Sequence, residues 1–113
     1  MGSEQRKDRR APSYAKALLI DPQALGYVRD LSRSGCQVAF MQSVAVAAGD
    51  LVTVRVIAEH DPTLPPFQIQ LRVRWLKRDP LWFALGGEIV PIDDAQAAGA
   101  FEKLVDYYTN AGA

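Results

Sequence analysis

Through most of the chain apolar and polar residues alternate with a period of two, the pattern of strands that bury one face and wet the other. The alternation is cleanest in FQIQLRVRW. There Phe67, Ile69, Leu71, Val73 and Trp75 fall on one side and Gln68, Gln70, Arg72 and Arg74 on the other. LVTVRVIA (Leu51–Ala58) sets Val52, Val54 and Val56 against Thr53 and Arg55, with Leu51 and Ile57 blurring the polar side. CQVAFM sets Cys36, Val38 and Phe40 against Gln37, Ala39 and Met41. YAKALLI (Tyr14–Ile20), ALGYVRD (Ala24–Asp30) and LWFALGGEIV (Leu81–Val90) complete the set of candidate strands. Breaks fall at Asp21-Pro22, at Gly49-Asp50 and in the proline-rich HDPTLPP. Gly86-Gly87, inside the last strand, reads as a bend or a close backbone approach. After Pro91 the period becomes helical, with Ala97, Phe101, Leu104, Val105 and Tyr108 on one stripe and Asp93 or Asp94 placed to cap its start. The spacing predicts a mainly β domain, five or six antiparallel strands forming a small barrel or strongly curled sheet. A helix over about 93–109 covers an open end or flank of it.

With 113 residues the chain is sized for one domain. Residues 1–12, ending at Pro12, read as a mobile arm and residues 13–113 as the folded unit. Thirteen basic side chains balance thirteen acidic ones. This argues against a DNA- or RNA-binding protein, which needs an overall basic face. The local exception is the arm itself, where Arg6, Lys7, Arg9 and Arg10 face only Glu4 and Asp8. A single cysteine, Cys36, excludes a disulfide framework and a cysteine-rich zinc site. No apolar run has the length of a membrane span and no signal-peptide pattern opens the sequence, so membrane insertion is not expected and a cytoplasmic location is.

Catalytic chemistry is not visible. The one histidine, His60, beside Asp61-Pro62, reads as a solvated turn residue, and Cys36 as a small buried apolar one. Capping accounts for Asp93 and Asp94 without catalysis. No Walker loop, dinucleotide fingerprint or metal-ligand spacing occurs, so no enzyme, cofactor or metal is expected.

One stretch interrupts the strand pattern with polar residues at fixed spacing: RDLSRSGCQVAF, with Asp30, Ser32 and Gly35. These are common turn formers, and a turn is the simplest account. A second account is recognition. A carboxylate only accepts hydrogen bonds, and the Watson–Crick edge of guanine offers two adjacent donors. A serine hydroxyl reaches a phosphate or a base edge, and glycine lets the backbone approach a flat ligand. Arginine supplies the opposite chemistry, a planar fork for guanine O6 and N7 or for phosphate oxygens. Arg6 and Arg10, four apart on the arm, are placed to close over such a ligand. The RxxxR spacing also occurs at Arg29–Arg33 and Arg74–Arg78, where solvated strand or loop residues explain it.

In this order and context the motifs resemble the PilZ domain, the bacterial receptor module for cyclic di-GMP. RKDRR (Arg6–Arg10) corresponds to the RxxxR segment ahead of the family's first strand and DLSRSG (Asp30–Gly35) to its [D/N]xSxxG motif. VRW (Val73–Trp75) resembles its Val-x-Trp strand and LGGEI its closing Gly-x-x-Phe, with Ile89 in place of Phe. The likeness runs from about Gln5 to Pro91. It implies a six-stranded antiparallel barrel with a C-terminal helix and cyclic di-GMP bound on the barrel surface. By position, Arg6 and Arg10 would contact guanine and phosphate, Asp30 and Ser32 would hold the base and nearby phosphate, and Gly35 would permit the approach. Gln5, where some members carry a further arginine, points to one bound molecule. A downstream protein would read the new surface made when ligand orders the arm. The rival readings are a ligand-free PilZ-like adaptor and a small nucleic-acid-binding barrel. The second is weakened because the period puts Trp75 on the apolar face, away from Arg72 and Arg74.

Overall fold

The computed structural model describes residues 14–112. The expected strands form β1 (Lys16–Leu19), β2 (Ala24–Leu31), β3 (Gly35–Phe40), β4 (Leu51–Ile57), β5 (Phe67–Arg78) and β6 (Phe83–Ile89), and the chain ends in α1 (Ala95–Gly112). The strands close into an antiparallel barrel in the order β1-β2-β3-β6-β5-β4. Closure is made by β1 against β4, from Lys16↔Ile57 to Leu19↔Val54. The basic arm with Arg6 and Arg10 lies outside the described residues.

The inward phase obeys the sequence period. Val38, Phe40, Val54, Val56, Ile69, Leu71, Val73 and Leu85 are all at most 2% exposed, and no charged or polar side chain among the described residues is buried. An apolar lining of this kind is the principal driving force for closure, since each such side chain contributes about 1.5–3 kcal/mol on burial. Gly87 lets two backbones meet. A Cβ there would stand 2.3 Å from the Arg72 carbonyl oxygen, so Gly86-Gly87 marks a close approach, in line with the sequence pattern.

Two strands depart from strict alternation. β2 carries a bulge between Val28 and Asp30, and β5 carries one between Val73 and Trp75. Each inserts one arginine, Arg29 or Arg74, that has no partner in the ladder, and each reverses the phase of the residues beyond it. Trp75, expected on the core face, is therefore on the outer wall and 39% exposed. Its indole lies over Gly86, where an added Cβ would come within 2.3 Å of the ring.

The helix starts where Asp94 accepts the Ala97 N–H at 2.8 Å; Asp94, not Asp93, is the cap. α1 packs against β2 and β5, which are not neighbours in the barrel, so it lies across one end of it. Phe101, Leu104, Val105 and Tyr108 are buried there. The Tyr108 hydroxyl donates to the Val28 carbonyl and accepts the Ala15 N–H at 3.0 Å, tying the helix to β2 and to the start of β1. Burial pushes this phenol well above its ordinary range. His60 is not a solvated turn residue. Its ring stacks on Tyr107 with centroids 3.6 Å apart, and its Nδ1 is buried without a hydrogen-bond partner among the described residues. The loop carrying it is held by Asp61, which accepts the Thr63 N–H at 3.0 Å and the Thr63 hydroxyl at 2.6 Å. Those bonds hold the Asp61 carboxyl below its usual range. The α1-capped end thus also gathers the start of β1, the β2–β3 loop and the β4–β5 loop.

Candidate functional site

Without the bulge in β2, period two would point Asp30 into the barrel with Gly26 and Val28. The extra residue, Arg29, turns Asp30 outward and sends Leu31 inward in its place, at 5% exposure. The bulge in β5 does the same for Trp75. The two re-aimed side chains share a register row that crosses four strands: Asp30↔Gln37, Gln37↔Gly86, Gly86↔Trp75. At about 4.8 Å per strand, Asp30 and Trp75 stand roughly 14 Å apart at their backbones. Between them the outer wall holds a depression of about 220 Å3, lined by Asp30, Ser32, Gly35, Gln37, Trp75 and Gly86 among others.

Ser32 and Gly35 form the turn that joins β2 to β3. The Gly35 N–H donates to Ser32 Oγ at 3.1 Å, and the Ser32 N–H donates to the Gly35 carbonyl at 2.9 Å. The Ile89 N–H, donating to the Ser34 carbonyl at 2.9 Å, fixes the loop to the end of β6. The turn account of these residues therefore holds, and the serine hydroxyl already braces the loop it sits in. A Cβ on Gly35 would lie 3.3 Å from the Gly87 carbonyl oxygen, a tight contact that a side chain would have to push aside. Asp30 is exposed, and its carboxylate makes no hydrogen bond or ion pair with the described residues. Behind it Cys36 is buried; desolvation, with a smaller contribution from Asp30, pushes its thiol up to about 12. A thiol in that state is not a nucleophile at neutral pH.

Five of the other described arginines are exposed but engaged. Arg33, within the motif, donates to Glu102 of α1 at 3.0 Å, and Arg74 pairs with Glu88 at 2.6 Å. Both line a wider cleft of about 690 Å3 that shares Gly35, Trp75 and Gly87 with the depression. Arg72 donates to the Gly49 carbonyl, Arg78 to Ser43, and Arg29 lies 4.1 Å above the Trp82 ring. A separate groove of about 530 Å3, over β4 and β5 at Arg55 and Gln70, contains none of the motif residues.

Of the five residues singled out in the sequence, the structure brings Asp30, Ser32 and Gly35 together; Arg6 and Arg10 lie outside the described residues. The residue that sequence reasoning misplaced is Trp75. The signal that could have found it is Gly86-Gly87, since only glycine leaves room for an indole flat on the neighbouring strand. Among the described residues there is no group of three or more metal-ligating side chains, and no helix is long and apolar enough to cross a membrane.

The fold is a closed six-stranded barrel, strapped at one end by a helix and carrying an Asp-Ser-Gly loop beside an exposed aromatic ring. Residues 4–109 match the PilZ domain, and the chain belongs to that family of cyclic di-GMP-binding domains. The match spans Arg6 and Arg10 as well as the Asp-Ser-Gly loop. Among curated proteins there is no match.

Proposed function

We propose that this protein is a cytoplasmic bacterial cyclic di-GMP receptor that clasps the dinucleotide between Arg6 and Arg10 and the Asp30–Gly35 loop. The observation that carries the reading is the convergence of a carboxylate with no partner among the described residues, a braced turn and an exposed indole on one depression of the outer wall. Asp30 accepts the two donors of a guanine edge. Trp75 gives that base, or its neighbour, a flat platform, as stacking on an aromatic side chain does elsewhere for about 1–3 kcal/mol. Gly35 and Gly86 keep the floor low. The Ser32 hydroxyl, besides accepting the Gly35 N–H, donates its proton to the Gly35 carbonyl over a long 3.4 Å and can redirect it to a phosphate oxygen.

Chain geometry supports the arginines. The Val28 N–H donates to the Ala15 carbonyl at 2.8 Å, so Tyr14 runs beside Arg29, one residue from Asp30. Arg10 is four residues before Tyr14, a span of at most about 14 Å. That reaches the depression, and Arg6 has four residues of chain more. Two guanidinium groups against two phosphates supply charge-assisted bonds that offset the entropy of fixing the segment. The clasped ligand and segment then present a surface to a downstream protein, an order–disorder type of switch.

Calorimetric titration of cyclic di-GMP into the full chain tests the reading. Saturable binding is expected, weakened at least about tenfold in each of Arg10→Ala, Asp30→Ala and Trp75→Ala. Absence of binding in the wild-type chain would overturn it and leave the ligand-free adaptor.

A further inference from the structure

The outer wall carries a second feature that ligand recognition does not use. Two register rows beyond Asp30 and Gln37, on the same outer face, Tyr27 pairs with Ala39, and the small Ala39 floors an apolar groove of about 260 Å3. Tyr14, Tyr27, Met41, Leu81 and Trp82 form its sides. Met41 is 78% exposed and Leu81 77%, and Leu25, at 54%, extends the same face of β2. Single exposed apolar residues mean little, but a contiguous patch built from Tyr, Trp, Met and Leu has the composition of an interface centre.

Charge indicates what covers it. Arg29 at one side of the groove stacks on Trp82 and has no ion-pair partner among the described residues. Asp79, two residues before Leu81 on the β5–β6 turn, likewise has no ion pair among them. Among the described residues the groove thus has a cation without an ion pair on its β2 side and an anion without one on its β5–β6 turn, the self-complementary arrangement that a two-fold contact requires. The whole chain has a formal net charge of zero, so two copies meet without overall repulsion. The barrel is closed and offers no free strand to extend, which leaves side-chain packing as the mode of association.

We propose that this face is a homodimer interface. Two copies meet across the groove, Leu81 and Met41 of each fill the apolar surface of the other, and Arg29 of each pairs with Asp79 of the other. This is independent of ligand recognition, because Leu81 and Met41 lie outside the depression.

Sedimentation equilibrium of the full chain reads the result directly. The expected mass rises with concentration from 12.4 kDa toward twice that value. Leu81→Asp and Met41→Asp, both at strongly exposed positions and checked for fold by circular dichroism, are expected to raise the dimer dissociation constant at least about tenfold. Arg29→Asp weakens the dimer, and adding Asp79→Arg to it restores the constant to within about threefold. A single 12.4 kDa species at every concentration up to about 1 mM overturns the proposal. So does a dimer indifferent to Leu81→Asp and Met41→Asp, or a charge swap that restores nothing. Cyclic di-GMP titration of Leu81→Asp, run in parallel, separates a failure of this interface from a failure of the receptor reading.

Discussion

β4 and β5 lie side by side, paired residue for residue from Leu51↔Arg72 to Val56↔Phe67, yet only one keeps its period to the end. In β4 every second residue, Val52, Val54 and Val56, is buried. In β5 the same rule holds to Val73 and then fails, because Arg74 drops out of the ladder and Trp75 emerges on the wall. β2 repeats the event at Arg29, with Asp30 as the residue brought out. The unbroken strand supplies only packing, and the two bulged strands supply both packing and chemistry. A bulge is the means by which a strand can contribute to a core along most of its length and to a binding surface at its end.

The contrast can be tested along β5 itself. Leu71→Ala, at 0% exposure before the bulge, should cost about 2–5 kcal/mol by chemical denaturation. Leu76→Ala, beyond the bulge and 37% exposed, should cost no more than about 1 kcal/mol. Comparable losses at the two positions would mean that β5 still contributes to the core beyond the bulge. Gly87→Ala tests the close approach that accompanies the bulge. With 2.3 Å between the new Cβ and the Arg72 carbonyl oxygen the strands must part, at about 1–3 kcal/mol. Trp75→Ala should lower stability by only about 1 kcal/mol, where a core tryptophan would cost about 3–5 kcal/mol. A large loss would return Trp75 to the interior.

The smallest effect is one of pH. Burial raises the Cys36 thiol from 9.0 to about 12. The unfolded chain releases that proton above about 9 while the folded one keeps it, so stability falls as pH rises from 9 toward 12. The urea midpoint of the wild type should therefore fall more steeply between about pH 8 and about pH 10.5 than that of Cys36→Ala; parallel curves would count against a desolvated thiol.

Most of the fold was legible because a half-buried strand writes its exposure into every second residue. The six strands, the inward valines and the stripe from Phe101 to Tyr108 all come from periodicity and turn chemistry. Asp30, Ser32 and Gly35 were legible as a motif, but the reason Asp30 faces outward was not. One residue too many in a strand leaves no mark in composition, and its effect depends on pairing with β3, a partner remote from the local pattern. Trp75 was misplaced for the same reason. His60 was misjudged because its environment is set by Tyr107, far along the chain, through a helix–loop contact that no local rule anticipates.

The crossing of α1 over the barrel end has a consequence for protein engineering. Because Tyr108 holds the start of β1, the Tyr14 and Tyr108 rings are only 6.4 Å apart, and the described barrel and helix begin and finish at neighbouring points. Such a unit can be spliced into a loop of a host protein without forcing the host's own backbone apart. The splice points would also sit beside the Asp-Ser-Gly loop. A domain inserted this way would stand next to the recognition surface, so a reporter built on it would feel, at its own junctions, whatever that surface takes hold of.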